Sequence, residues 1–428
     1  MRTTCRGRLM LAVAVLLTTA GIVGAQPDVA SGVSTASGSS VVTSAESTTA
    51  SGSGDPTAAA PAVAGCSIGT SVADPSSVHG VFVVGPNLFP QTLVSQYLLN
   101  NPTVCGATLW IPWSSVDNGP GASPQYNWSY IDNLAAPWIA AGKTVNLVIW
   151  GAAEQVSQET NGVSATPGYV LSQVSTITCD ATTPPTPVFW QPAYVQAYQA
   201  FEQALVNHYN SNSHIGYIRF GIGTGGEDYP ENNFQTGACL SAWTAAGLSA
   251  GQWLAWSTSQ INFEATLDSV HPIMATINSF PDDPWLPVQV ATDAASHGIG
   301  FGMQGLTQSE VQNAETGQPC YAAWCTLFAK FAGSVPLEVQ PFSPSQPDGS
   351  APTGSLTNLL HYLIQTTHAQ ILELYPQEWM VANDPTWAGY SKYHSSYEQT
   401  LAGASSMIGG TPGAPPGRVA RSGRRKTG

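Results

Sequence analysis

Arg219 and Glu227 stand in the stretch GYIRFGIGTGGEDYPENN, Gly216 to Asn233, among glycine, aromatic and aliphatic residues. Only 12 of the 428 residues are Lys or Arg, so a cation inside an apolar run calls for a carboxylate partner. Glu338 in VPLEVQPFSP and Glu373 in AQILELYPQEW are placed to be that partner. Near the ends of other apolar runs stand Trp110, Trp113, Trp150, Asn278, Gln304, Gln340, Tyr375 and Trp379. Carboxyls, amides and aromatic planes in this mixture have the composition of a sugar site. Rings stack on aromatic faces, hydroxyls bond to amides and acids, and no strong cation is needed.

The elements that must position these residues are eight β-rich runs: HGVFVVGPN, GATLWIPWSSVD, TVNLVIWGA, GYIRFGIGTGGE, HPIMATINS, IGFGMQGL, VPLEVQPFSP and AQILELYPQEW. Helical stretches separate them, the clearest being PAYVQAYQAFEQALVNHYN and SLTNLLHYLIQTTH. In the first, Tyr194, Tyr198, Phe201, Ala204 and Leu205 recur at helical spacing and give one apolar face. Strand followed by helix, repeated through residues 66–410, predicts an α/β fold of the (β/α)8 TIM-barrel type, a single domain with loop insertions. A doubly wound open sheet is the competing architecture, but no GxGxxG follows the first run. In a barrel the side chains that do chemistry project from the C-terminal strand ends. Counting by twos from Arg219 reaches Glu227, which puts both on one face unless the intervening glycines make a bulge or turn. The longest insertion is expected around Gln155 to Trp190.

Arg2, Arg6 and Arg8 precede the run LMLAVAVLLTTAGIVGA, so residues 1–25 read as a secretory signal peptide. That run is too short and too early for a membrane span. Residues 26–65 are almost wholly Ala, Ser, Thr, Gly, Val and Pro and read as a flexible linker. Residues 411–428 form a basic tail, read as a solvated disordered end in preference to a weak contact with anionic cell-envelope polymers. The expected location is extracellular. Between the tails only Lys143, Arg219, Lys330 and Lys392 are cationic, and the net charge is −14, so no basic stripe exists for nucleic acid. Beyond Cys5 in the leader, Cys66, Cys105, Cys179, Cys239, Cys320 and Cys325 predict three disulfides in an exported chain, Cys320 with Cys325 being the nearest pair. No CxxC or His-rich spacing points to a metal, and no cofactor is expected.

The piece LWIPWSSVDNGPGASPQYNWSYIDNLAAPWIAAGKTVNLVIW carries a strand ending in Trp, a loop, a Tyr-x-Trp-Ser-x-Ile-Asp helix start and Ala-Gly-Lys before the next strand. With the strand order from about His79 to Trp379, it resembles the clan A glycoside hydrolases, the barrel-type β-galactosidases and related retaining β-glycosidases. That resemblance implies a carbohydrate substrate, with an acid/base glutamate ending strand four and a nucleophile ending strand seven, here Glu227 and Glu338. Retention would place the two carboxyls about 5 to 5.5 Å apart. Gly226 stands where the family usually has Asn, so binding of the sugar 2-hydroxyl would fall to Asn232, Asn278 or Gln304. Arg219 is expected to hold Glu338 or Glu373 ionised, acting as a structural ion partner rather than as a substrate contact. Trp113 and Trp379 are expected as sugar platforms, Trp110 equally as platform or core filler, and Asp228 and Glu231 as solvated loop acids. The competing function is a carbohydrate-binding barrel without catalysis.

Overall fold

The computed structural model describes residues 66–68, 78–153, 164–180, 184–231, 234–280, 283–306, 324–345, 355–357, 359–360 and 367–408. The expected leader, linker and basic tail lie outside the described residues, as do Cys320, the side chain of Cys325, Asn232 and most of the helix expected over residues 355–368.

The strands are β1 (Val78–Val84), β2 (Gly106–Pro112), β3 (Thr144–Trp150), β4 (Ile215–Phe220), β5 (Ile273–Thr276), β6 (Gly300–Leu306), β7 (Leu337–Pro341) and β8 (Ile371–Leu374). Each pairs in parallel with the next, and β8 pairs with β1 through Ile371↔Gly80 to Leu374↔Val83. The sheet therefore closes on itself, and the (β/α)8 barrel expected from the sequence is the fold. Closure leaves no open edge, which removes the doubly wound alternative.

Strand period explains how one sequence serves two cores. Val81, Val83, Ala107, Leu109, Ile111, Val145, Leu147 and Ile149 face outward into the layer between barrel and helices. Their alternates, including Phe82, Val148, Trp150, Tyr217, Met274 and Ile371, face inward as a separate cluster. The outer layer is closed by helices such as α1 (Pro192–Tyr209), which starts at a proline and buries Tyr194, Tyr198, Phe201 and Leu205 on the expected face. It packs beside α2 (Ala250–Glu264), whose buried face carries Trp253, Trp256, Gln260 and Glu264. Glu202 of α1 is buried with them, and Gln260 Nε2 donates to both its oxygens at 2.6 and 2.7 Å.

Two staples act at opposite ends of the barrel. A two-residue strand, Ser67–Ile68, runs antiparallel to the base of β1, and Cys66 is bonded to Cys105 just before β2. Cys179, in the insertion after β3, is bonded to Cys239 in α3 (Gly237–Ala245), which follows the β4 loop. Two of the three expected disulfides are thus present, and the third falls on residues outside the description.

Candidate active site

Glu227 does not continue the β4 ladder. The strand ends at Phe220, Thr224 bridges back to Ala152, and Gly225 and Gly226 take φ of 67° and 80°. Gly223 N donates to Glu227 O at 2.7 Å and Glu227 N to Thr224 O at 3.1 Å, so the carboxyl is delivered by a tight turn. The counting-by-twos expectation fails here because glycine permits the left-handed backbone that reverses the chain. The turn also explains the departure from Asn at Gly226. A Cβ there would stand 2.7 Å from Val148 Cγ1 and 3.1 Å from Trp150 Cδ1, and φ is +80°, so glycine is needed on both counts.

Around Glu227 stand residues from five further strand ends. Asn278, just beyond β5, donates Nδ2 to Glu227 Oε2 and accepts Asp228 N on Oδ1 at 2.8 Å, which fixes both the carboxyl and its backbone. Gln340 of β7 donates to the Tyr375 hydroxyl at 3.1 Å. Trp110 is half-buried and its ring centroid lies 5.1 Å from that of Trp150, which is buried in the barrel interior, so only Trp110 offers an open ring. Asn87 holds the Trp110 backbone by donating to its O at 2.8 Å and accepting its N–H at 3.2 Å.

Below the mouth lies a buried ionic cluster. Arg219 Nη1 donates to Glu338 Oε2 at 2.9 Å, Gln304 Nε2 donates to the same oxygen at 2.8 Å, and Arg219 Nη2 lies 3.6 Å from Glu373 Oε2. Glu373 Oε1 accepts the Thr108 hydroxyl at 2.6 Å and the Tyr217 hydroxyl. The side chains of Arg219, Glu338 and Glu373 are 2%, 0% and 0% exposed, so these charges are out of water. An Arg219 partner by itself would lower the pKa of Glu338. Burial, then the Glu373 carboxylate, outweigh it, and Glu338 is held well above the ordinary carboxylate range, with Glu227 adding in the same direction. Arg219 is itself raised: burial alone would lower it, and the carboxylates of Glu373, Glu338 and Glu227 reverse the sign. Gly302, level with Glu338 on β6, is needed because a Cβ there would overlap Glu338 Oε2.

The structure brings Glu227, Asn278, Gln340, Tyr375 and Trp110 to the mouth, with Trp150, Gln304, Arg219, Glu338 and Glu373 buried beneath. Glu338 and Glu373 are equally interior. Trp113 and Trp379 are elsewhere. Trp113 follows Pro112 into a short 3-10 turn and is fully buried against Tyr194, Tyr198 and Phe201. Trp379 lies inside the helix begun by Pro376, fully buried, and donates to Thr103 at 2.9 Å. In both, a proline ends the strand direction before the tryptophan is reached. Asp228 is also no solvated acid: it is buried, accepts Trp253 Nε1 at 2.9 Å and Ser257 Oγ at 2.7 Å, and burial pushes it up to about 8. Glu231 is buried against the sulfurs of Cys179 and Cys239. These three form the one group of metal-ligand side chains within 4.8 Å among the described residues, and its sulfurs are engaged in the disulfide.

Sequence reasoning passed over Thr108, Asn146 and Tyr217, polar residues at inward strand positions that alternation with Trp110, Val148 and Arg219 marks. It also passed over Phe342, 55% exposed just after β7, and Trp285, 65% exposed beyond β5.

No family model matches the chain, and no curated protein matches it. Among solved structures it is similar to the catalytic domain of β-amylase from Paenibacillus polymyxa, at 15% identity and TM-score 0.49 over 78% of this chain and 100% of that one. It is also similar to β-galactosidase from the psychrophilic Marinomonas ef1, at 10% identity and TM-score 0.46 over 76% of this chain and 59% of that one. A glycosylated endo-β-1,4-xylanase from Gloeophyllum trabeum gives 12% identity and TM-score 0.43 over 78% and 99%.

Proposed function

We propose that this protein is a secreted glycoside hydrolase that cleaves a β-linked glycan or glycoside by a retaining, two-glutamate mechanism. The observation that carries the reading is the pair of glutamates that follow β4 and lie on β7, Glu227 held by Asn278 and Glu338 held by Arg219 and Gln304, with the half-buried Trp110 on β2. A sugar ring stacked on Trp110 would present its glycosidic oxygen to Glu227, which donates a proton as the bond to the leaving group breaks. Glu338 would attack the anomeric carbon from the opposite face, forming a glycosyl ester. Water, deprotonated by Glu227, would then release the sugar. Arg219 and Gln304, both donating to Glu338 Oε2, would orient that oxygen for the attack.

Anomer analysis of the first-formed product tests this: retention by the wild type is expected, and inversion would refute the assignment. With Glu338→Ala, added azide should give an inverted glycosyl azide; with Glu227→Ala, a retained one. The second reading, a carbohydrate-binding barrel without turnover, is favoured by the complete burial of Glu338 and its ion pair with Arg219. Glycan binding by calorimetry with no product from any glycoside would select it. Export through residues 1–25, a linker over 26–65 and a domain over 66–410 belong to the same proposal.

A further inference from the structure

Donor counting in the buried cluster leaves two oxygens over. Glu338 Oε2 takes Arg219 Nη1 and Gln304 Nε2, and Glu373 Oε1 takes the hydroxyls of Thr108 and Tyr217. Glu338 Oε1 and Glu373 Oε2 are buried and receive no hydrogen bond from any donor. The two carboxyls nevertheless meet on one guanidinium, at 2.9 and 3.6 Å from Arg219, and are carried by the adjacent strands β7 and β8. Two carboxylates and one guanidinium leave one uncompensated negative charge out of water, a state costing several kcal/mol in general. One proton between the leftover oxygens gives both a partner and brings the cluster to neutrality.

We infer that Glu338 and Glu373 share a single proton between Oε1 of the first and Oε2 of the second, which makes Glu373 a positioning residue that fixes the Glu338 carboxylate. The groups facing the pair are Arg219 and Tyr217 from β4, Thr108 from β2, Gln304 from β6, and Glu227 above. Arg219 is the only cation among them, and it lies nearer Glu338 than Glu373, 2.9 against 3.6 Å. Glu373 acts through Glu338 and does not touch the sugar. Its role as positioner of a nucleophile rests on the hydrolase reading; the shared proton does not.

Difference infrared spectroscopy of the full chain at neutral pH reads the proton directly as the carbonyl band of a protonated carboxyl. Glu373→Gln and Glu338→Gln should each abolish the same one band, and the double variant should lose nothing more. Loss of two bands in the double variant, or of none, overturns the inference. Should either variant fail to fold, Tyr217→Phe and Thr108→Val keep the pair in place, remove a donor to Glu373 and should shift the frequency of that band. An unmoved band in both overturns it equally. Turnover with no such band sinks the shared proton and spares the hydrolase reading, whereas the band without turnover of any glycoside does the reverse.

Discussion

Asn278 joins Glu227 to the backbone of Asp228, so the carboxyl at the mouth is held by its neighbour in space and by a glycine turn in sequence. If Glu227 is the proton donor, Glu227→Gln should slow cleavage of unactivated glycosides by roughly 10²–10⁴-fold and of activated aryl glycosides far less, because a good leaving group departs without a proton. A plot of rate against leaving-group acidity checks this: a steep slope in the variant against a shallow one in the wild type is the expected outcome, and parallel slopes would remove Glu227 from that role. At this scale the sequence was legible where a polar residue interrupted an apolar strand, as with Arg219, Glu338 and Glu373. It was illegible where a backbone turn decided direction. Trp113 and Trp379 sit one and three residues past a proline, and a single 3-10 turn or helix start carries each ring into the outer core. The polar inward residues Thr108, Asn146 and Tyr217 were readable by period two, yet Thr and Tyr are ordinary strand formers and gave no composition signal.

Between α1 and α2 the carboxyls of Glu202 and Glu264 are both held well above the ordinary range, by burial first and then, for Glu202, by the charge of Glu264, with only Gln260 opposing. Both oxygens of Glu264 are buried without a hydrogen-bond partner. A carboxyl raised in the folded state favours folding fully below its unfolded value of 4.5 and loses that contribution as pH climbs toward the folded one. Thermal stability should therefore fall as pH rises from 4.5, and Glu264→Gln should flatten the fall by gaining most at alkaline pH. Melting curves across pH check it, and parallel wild-type and variant profiles would contradict it. The Cys179–Cys239 bond ties the insertion after β3 to the helix that follows the loop carrying Glu227. Cys239→Ser should cost about 2–4 kcal/mol by chemical denaturation and expose the insertion to protease first. Strands were the most readable elements: barrel strands are buried on both faces and read as near-continuous apolar runs. The loops were not readable, because their course depends on cross-links and turns that leave little periodic trace.

Within the barrel, Glu227 lies past the C-terminal end of β4, and Cys66 is bonded at the opposite end, before β2. Limited proteolysis should trim the chain to a stable core beginning near Cys66 and ending near Ile408, since the barrel closes within those limits. Unfolding on removal of the preceding residues would show that the domain extends further. Cys66 meets Cys105 at the base of β2, the end opposite Glu227, and the adjoining strand Ser67–Ile68 has only two residues of antiparallel pairing to β1. Mechanically, that bond is the leash point of the barrel. A pull on the preceding chain passes through a covalent link into β2, whose seven residues are zipped along their length to β3, instead of peeling β1 away from its neighbours one hydrogen bond at a time. A load applied at Cys66 is carried by a covalent bond into the barrel wall, at the end of the strands opposite Glu227.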